Sequence, residues 1–352
     1  MRKIMIHRPG GHDRLQIEEH PDVAPGPGEV AVNVEAIGIN YADCMVRMGL
    51  YRSSREQVGW PVCPGFEVAG TVEAMGDGVD LPLGQRVFAV TLFNGYATRV
   101  VVPHDQVFAI PDGLDATQMA GFPTVFMTAW YGLHELCRPR RGQTMLVHSA
   151  AGGVGGALVQ LGKAAGCQVA GVVGAPHKAD LVRDLGADRV VVSSEEDLWA
   201  ALRRSDPDGF HMVFDANGAK TLRRSYNSLR PPGKLVVYGF HTMLPRGRSG
   251  PNWFKLVFDY LRTPRFGPLE MTHNNRSVLA FNLSYLFAEK EILVDAMADL
   301  LGKLADGRIR PLPVQHFAFE DVAATHAALE SGSTVGKLVL RVDSQKNSTP
   351  TE

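Results

Sequence analysis

Cysteine is scarce and scattered in this chain of 352 residues: Cys44, Cys63, Cys137 and Cys167 form no C-x-x-C pair. Neither a disulfide framework nor a structural zinc lobe is written into it, and a reducing cytosol is the expected setting. A surplus of one charge is also missing, since 36 basic side chains stand against 37 acidic ones. That balance argues against a nucleic-acid-coating surface. Hydrophobic residues make up 45% of the chain, so the apolar poverty of a disordered protein is absent. The first nine residues hold no apolar stretch of signal-peptide length, and secretion is not expected. Two uncharged windows, 116–134 and 142–162, approach the ~20 residues of a membrane span. Pro123, Gln118, Thr117 and Thr124 interrupt the first; Gly152, Gly153, Gly155, Gly156 and Gly162 break the second, so both read as parts of a globular fold.

What is present suggests about two domains of ~150 residues. Up to residue 110 the chain carries short β-type runs at 29–37, 66–75, 85–90, 97–102 and 106–110, punctuated by Gly and Pro. These predict an irregular, mostly antiparallel β domain. Beyond residue 121 apolar strands alternate with amphipathic helices, the pattern of a parallel sheet with helical crossovers. Six strands are expected there, at 144–148, 168–173, 189–192, 212–214, 235–238 and 278–282, forming a doubly wound α/β sheet. The tail returns to strands at 315–317 and 337–342 around a helix at 319–330, and is expected to rejoin the first domain. The resulting division is 1–122 with 306–352 as the substrate-side domain, and 123–305 as the dinucleotide-binding domain. Residues 343–352 have nothing apolar to bury and are expected to fray.

Between the first strand of the parallel sheet and a helix starting near Gly156 lies Ser149-Ala150-Ala151-Gly152-Gly153-Val154-Gly155. Small residues there let a pyrophosphate approach the backbone, and the helix N-terminus offers unpaired N–H groups and the positive end of its dipole. Ala151, Gly152, Gly153, Val154 and Gly155 are therefore the expected phosphate cradle of a dinucleotide. The second strand ends in Gly174-Ala175-Pro176-His177-Lys178, with no Asp or Glu to receive a ribose 2′-hydroxyl. Gly174 leaves room and Lys178 can meet a 2′-phosphate, so NADPH is expected over NADH; solvation of the next helix is the alternative for Lys178. Asn217, Gly239 and Phe240 follow later strand ends, where ligands of open parallel sheets collect.

Residues 242–276 stand apart, with six basic residues against Asp259 and Glu270, interleaved with Trp253, Phe254, Phe258, Tyr260 and Phe266. A short amphipathic helix at 252–261, with Trp253, Leu256, Val257 and Tyr260 on one side, is expected in this insertion. It fits a dimer edge or cleft cover, a lid over substrate, or contact with a membrane surface.

Together, Gly38-Ile39-Asn40-Tyr41-Ala42-Asp43, Pro64-Gly65-Phe66-Glu67-Val68-Ala69-Gly70, Gly84-Gln85-Arg86-Val87, the loop 150–155, Leu185-Gly186-Ala187 and Gly336-Lys337-Leu338-Val339-Leu340 make the chain similar to a known family. It resembles the medium-chain dehydrogenase/reductases, in their zinc-free quinone oxidoreductase branch, over residues 2–342. Residues 226–231 and 275–283 look nearest the vesicle amine transport protein homologues of that branch. The resemblance implies a GroES-like catalytic domain beside a Rossmann domain, and a homodimer joined through the last Rossmann strand. Zinc-dependent members carry a Cys and a His ligand where this chain has Asn40 and Phe66, so no catalytic metal is expected.

Without a Lewis acid the implied chemistry is reduction: hydride passes from nicotinamide to a quinone or an α,β-unsaturated carbonyl, and the negative charge left behind needs hydrogen-bond donors. Asn40, in the vacated ligand position, and Tyr51, matching a family tyrosine, are the candidates. Thr128 corresponds to a family threonine beside the nicotinamide. Glu67 reads as a partly buried carboxylate bonded to nearby backbone, and Tyr41 and Asp43 as shapers of the Asn40 turn. Where quinone reductases often place an Arg, this chain has Ser331-Gly332-Ser333-Thr334. A nucleotide-binding protein with little catalysis, acting through lipid association, is the alternative function.

Overall fold

Two compact units make up the chain, as described by a computed structural model for residues 1–243 and 252–343. Arg246 and Arg248 of the basic stretch and the tail from 344 lie outside the described residues. The first unit comprises residues 1–124, 313–333 and 337 onward; the second comprises 125–312 and 334–336.

In the first unit one long strand, Glu29–Ile39, organises the sheet. Val30, Val32 and Val34 are buried at the period of two expected of a strand with one face in a core, and beyond a register shift at Val34/Ala36 that core face continues with Ile37 and Ile39. It pairs antiparallel with Glu67–Met75, with Arg99–Pro103 and with Lys337–Arg341. Arg86–Val90 and Val107–Ala109 extend the sheet on one side and Val314–Ala318 on the other, the last joining in parallel. A hairpin of Arg2–Met5 with Gln16–Glu19, which the sequence pattern does not predict, adds Ile4 to the core.

The second unit holds a six-stranded parallel sheet in the order Arg189–Val192, Gln168–Val173, Thr144–Val147, Phe210–Asp215, Leu229–Val237, Arg276–Ala280. Numbered along the chain this is 3-2-1-4-5-6, the doubly wound Rossmann order expected from the alternating pattern. Buried Leu146, Ala170, Val172, Val213 and Leu235 form its centre, near-continuous apolar runs because helices cover both faces. The glycine-rich helix runs Gly153–Ala164, three residues earlier than its composition suggests. Its first turn needs no i→i−4 bonds from its own N–H groups, so glycine costs little there, and packing decides the start.

The insertion folds as Trp253–Arg262 and Pro268–Asn274. Asn252 caps the first helix by accepting from Lys255 N–H at 3.1 Å. Its amphipathicity is inverted relative to solvent: Asp259 is buried, whereas Trp253, Phe254, Val257, Phe258, Tyr260 and Leu261 are exposed, Phe254 by 92%. Lys255 turns inward to Asp259 and to the carbonyl of Thr242. No helix among the described residues is long and apolar enough to cross a membrane.

Candidate functional site

Strand Thr144–Val147 delivers the chain to a tight turn at its carboxyl end. Ser149 takes φ +52° there, and Gly152 N–H closes the turn on the Ser149 carbonyl at 2.9 Å. Ala150 N–H binds the Val172 carbonyl of the neighbouring strand, fixing the loop to the sheet. Gly152 caps helix Gly153–Ala164 without any side chain, so the first N–H groups keep their donor capacity. At Gly155 a Cβ would sit 2.3 Å from the Ser149 carbonyl oxygen, so no larger residue lets helix and loop approach this closely. A backbone cradle of small residues, open at a helix N-terminus, suits a diphosphate.

The neighbouring strand ends at Val173, and Gly174 beyond it is exposed with open space around its Cα. Lys178 closes the 3-10 turn Pro176–Lys178 and donates to the Thr334 carbonyl at 3.0 Å. That contact draws the stretch 334–336 to the same strand ends, where Gly336 N–H donates to Ala151 O at 2.9 Å. Thr128 lies half-buried on helix Pro123–Trp130 among fully buried Phe126, Met127 and Ala129. Gly239 lies against Ala216 and Phe240 packs beside Gly218, 43% exposed.

An acid missed in the sequence organises the third loop. Asp215, fully buried at the end of its strand, accepts from Asn217 N–H (2.8 Å), Thr221 Oγ1 (3.0 Å) and Ser225 Oγ (2.7 Å). His148 Nε2 meets Ser225 Oγ at 3.0 Å, and burial pushes this histidine below its ordinary value. Asn217 then accepts from Ser149 Oγ at 3.1 Å, locking two strand-end loops together. Asp215 before Asn217-Gly218 was the available signal, an Asx-type turn of known preference.

In the first unit, register brings a second group together. Leu338 pairs with Ile39, and Val68 with Ile37, so Lys337, Asn40 and Glu67 converge where these strands end. Asn40 Nδ2 donates to Glu67 Oε1 at 2.8 Å, and Lys337 Nζ donates to the same oxygen and to Asn40 Oδ1, both at 2.8 Å. Glu67 Oε2 accepts Thr124 N–H at 2.8 Å. The expectation of a locally bonded, partly buried Glu67 is corrected: it is wholly buried and ion-paired to a residue 270 positions away. The signal lay in Gly336-Lys337, because a lysine entering an apolar strand must find a carboxylate.

Tyr51 opens helix Arg52–Gln57 and is half-buried, its ring edge-on to Phe66 at 5.8 Å and to Phe93 at 6.4 Å. The position that holds a metal-ligand His in zinc-dependent enzymes is thus part of an aromatic cluster here. Beneath Asn40, Asp43 accepts Asn40 N–H (2.7 Å) and Gly65 N–H (3.1 Å), tying both motif turns together. Burial pushes its carboxyl up to about 7, partly offset by the Asn40 N–H and by Tyr96. Tyr96 continues the polar spine through His326 (3.0 Å) to Cys44 and, beside them, Glu330. These last three are the one group among the described residues with metal-ligand spacing, but Arg47, buried and 2.6 Å from Glu330, already supplies the cation.

Residues 26–112 match the family described as alcohol dehydrogenase GroES-like domain, and 153–264 that described as zinc-binding dehydrogenase. The chain therefore belongs to the medium-chain dehydrogenase/reductases, in their zinc-free quinone oxidoreductase branch. Among curated relatives it is 31% identical over 345 residues to the human synaptic vesicle membrane protein VAT-1 homolog, covering 97% of this chain and 86% of that one. It is 32% identical over 343 residues to a quinone oxidoreductase of Pseudomonas aeruginosa, covering 96% and 99%. Among solved structures, Escherichia coli quinone oxidoreductase complexed with NADPH aligns with a TM-score of 0.83 at 27% identity, covering 97% and 100%.

The raised Asp43 sets a pH dependence. An acid with a folded value above its unfolded value contributes stability that is whole below about pH 4 and lost as pH rises through about 7. Asp43→Asn has no such titration. Urea unfolding of both forms from pH 4 to 8 is expected to show the wild type losing ~4 kcal/mol relative to the variant across that window. A pH-independent difference rules this out.

Proposed function

We propose that the protein is an NADPH-dependent, zinc-independent reductase that transfers hydride to a quinone or an α,β-unsaturated carbonyl. The observation that carries this reading is the start of helix Gly153–Ala164, capped by no side chain and closed to any Cβ at Gly155, at the carboxyl end of the central parallel strand. When bound, the dinucleotide supplies the hydride; the chain binds, orients and stabilises charge.

Ala151, Gly152, Gly153, Val154 and Gly155 hold the diphosphate through backbone N–H groups. Gly174 leaves space for the 2′-phosphate and Lys178 meets its charge; the Thr334 carbonyl orients that ammonium meanwhile. Asn217, Gly239 and Phe240 form the cofactor-facing strand ends, and Thr128 gives the nicotinamide a small polar neighbour. Asn40 donates to the oxygen on which negative charge develops, and Tyr51, braced by Phe66 and Phe93, supplies a second donor and a proton shared with water. NADPH itself is supported by the similarity to structures described with that cofactor. Four free, buried cysteines suit a reducing, cytoplasmic setting.

Among the described residues strand Arg276–Ala280 closes the parallel sheet with one neighbour, and we assign its open edge to the same strand of a second copy. A second reading, association with a lipid surface, is favoured by the outward-facing Trp253, Phe254, Val257, Phe258, Tyr260 and Leu261.

Purified protein with NADPH and a panel of quinones and enones, followed at 340 nm, is expected to turn over at least one pair. Asn40→Ala should slow it ~10²-fold. Lys178→Ala should raise the KM for NADPH ~10-fold and leave that for NADH within twofold. No turnover anywhere on the panel refutes the reading. Light scattering should return twice the chain mass, and Val278→Pro, which removes a donor from the edge, the monomer mass. Flotation with anionic vesicles tests the second reading; protein that stays in the dense fraction removes it, and loss of flotation in Trp253→Ser with Phe254→Ser locates the contact.

A further inference from the structure

We propose that Lys337 and Glu67 form a clamp that sets the orientation of the Asn40 amide and strengthens its free N–H as a donor. The inference rests on the reading of Asn40 as the group that meets developing negative charge, and it adds two positioning residues to that reading. Three acceptors receive the three protons of Lys337: Ile39 O at 2.7 Å, Asn40 Oδ1 at 2.8 Å and Glu67 Oε1 at 2.8 Å. Glu67 is equally committed, its Oε1 to Lys337 and Asn40 Nδ2 and its Oε2 to Thr124 N–H. The amide therefore has one orientation. Turned over, it would face its NH₂ to an ammonium and its oxygen to a carboxylate, two like-against-like contacts where an unsatisfied polar group is most costly.

Orientation has an electronic consequence. The ammonium hydrogen-bonded to Oδ1, the atom two bonds from Nδ2, draws density from the amide and polarises the remaining N–H; Glu67, which takes the other Nδ2 proton, works against that pull, and its part in the clamp is to fix the orientation. A protein amide placed this way is a better donor to an oxyanion than an amide in water, and it gains that character from an organic cation fixed in the strand. The fold makes room for the clamp: at Gly38 a Cβ would lie 2.5 Å from Glu67 Oε1 and 2.0 Å from the Ala120 carbonyl. Asn40 itself is only 8% exposed, which keeps water from competing for the oriented donor.

The test is a double-mutant cycle. Lys337→Met is made in the wild type and in Asn40→Ala, with turnover measured under saturating NADPH and NADPH affinity measured by fluorescence. In the wild-type background kcat should fall ~10- to 100-fold, with the acceptor KM and the NADPH Kd within about threefold. In the Asn40→Ala background the same change should cost less than about threefold, because the group it acts through is gone. Equal losses in both backgrounds, or a loss confined to NADPH affinity, overturn the inference.

Lys337→Met leaves Glu67 buried without its cation, so Lys337→Met with Glu67→Gln, which removes both charges, is run beside it. That pair is expected to fold and to repeat the kinetic pattern. An independent readout is the side-chain amide ¹⁵N–¹H₂ signal of Asn40, identified by its loss in Asn40→Ala. It should show two widely separated, slowly exchanging protons in the wild type and should collapse toward free-amide shifts when Lys337 is replaced. Unchanged signals overturn the clamp. If the wild-type protein reduces no acceptor, the catalytic reading fails while these signals still decide the clamp.

Discussion

A lysine ammonium cannot be left in an apolar sheet, and much of the first unit follows from that constraint. Lys337 sits at the start of the strand Lys337–Arg341, 3% exposed, where an unpaired charge would cost far more than the strand gains. Glu67, at the start of one strand, supplies the counter-charge, and Ile39 and Asn40, at the end of the long strand Glu29–Ile39, supply the remaining acceptors. The pair therefore joins the C-terminal segment to the two motif turns. Breaking either side leaves a buried charge without its partner.

The second unit is governed by close approach instead of charge. Its strand-end loops are held by backbone and by short polar side chains: Ser149 to Asn217, Asn217 to Asp215, Gly336 to Ala151. Asp215 performs there what Asp43 performs in the first unit, a buried carboxylate spending its lone pairs on the N–H groups of a turn. In both cases a buried carboxylate fixes a loop from behind. The helix Trp253–Arg262 breaks this economy, because it commits its only buried carboxylate inward and turns its aromatic residues to solvent.

Much of this was legible in the chain. The strands at 168–173 and 189–192 appear at the expected residues, because runs such as Arg189-Val190-Val191-Val192 are both β-prone and bounded by turn residues. The small-residue loop was legible because its chemistry is local: glycine positions in sequence are glycine positions in space. Less visible was the hairpin at the N-terminus, whose strands are short and are held by each other, by backbone bonds to residues 96–98 and by burial of Ile4. The partner of Glu67 was invisible for the same reason. Its local surroundings suggest backbone donors, and the residue that completes it is 270 positions away.

Composition, turn chemistry and hydrophobic period by themselves determined that there would be an antiparallel β unit, a six-stranded parallel sheet and a glycine-built helix start between a strand and its crossover. These are consequences of short-range sterics and of the period with which apolar residues recur. Only the tertiary structure decided which charges face each other, that Asp215 rather than a neighbour orders the third loop, and that the insertion helix presents its aromatic side outward. Such outcomes depend on strand register and on the requirement that every buried polar group find a partner, and neither is a property of any one segment of chain.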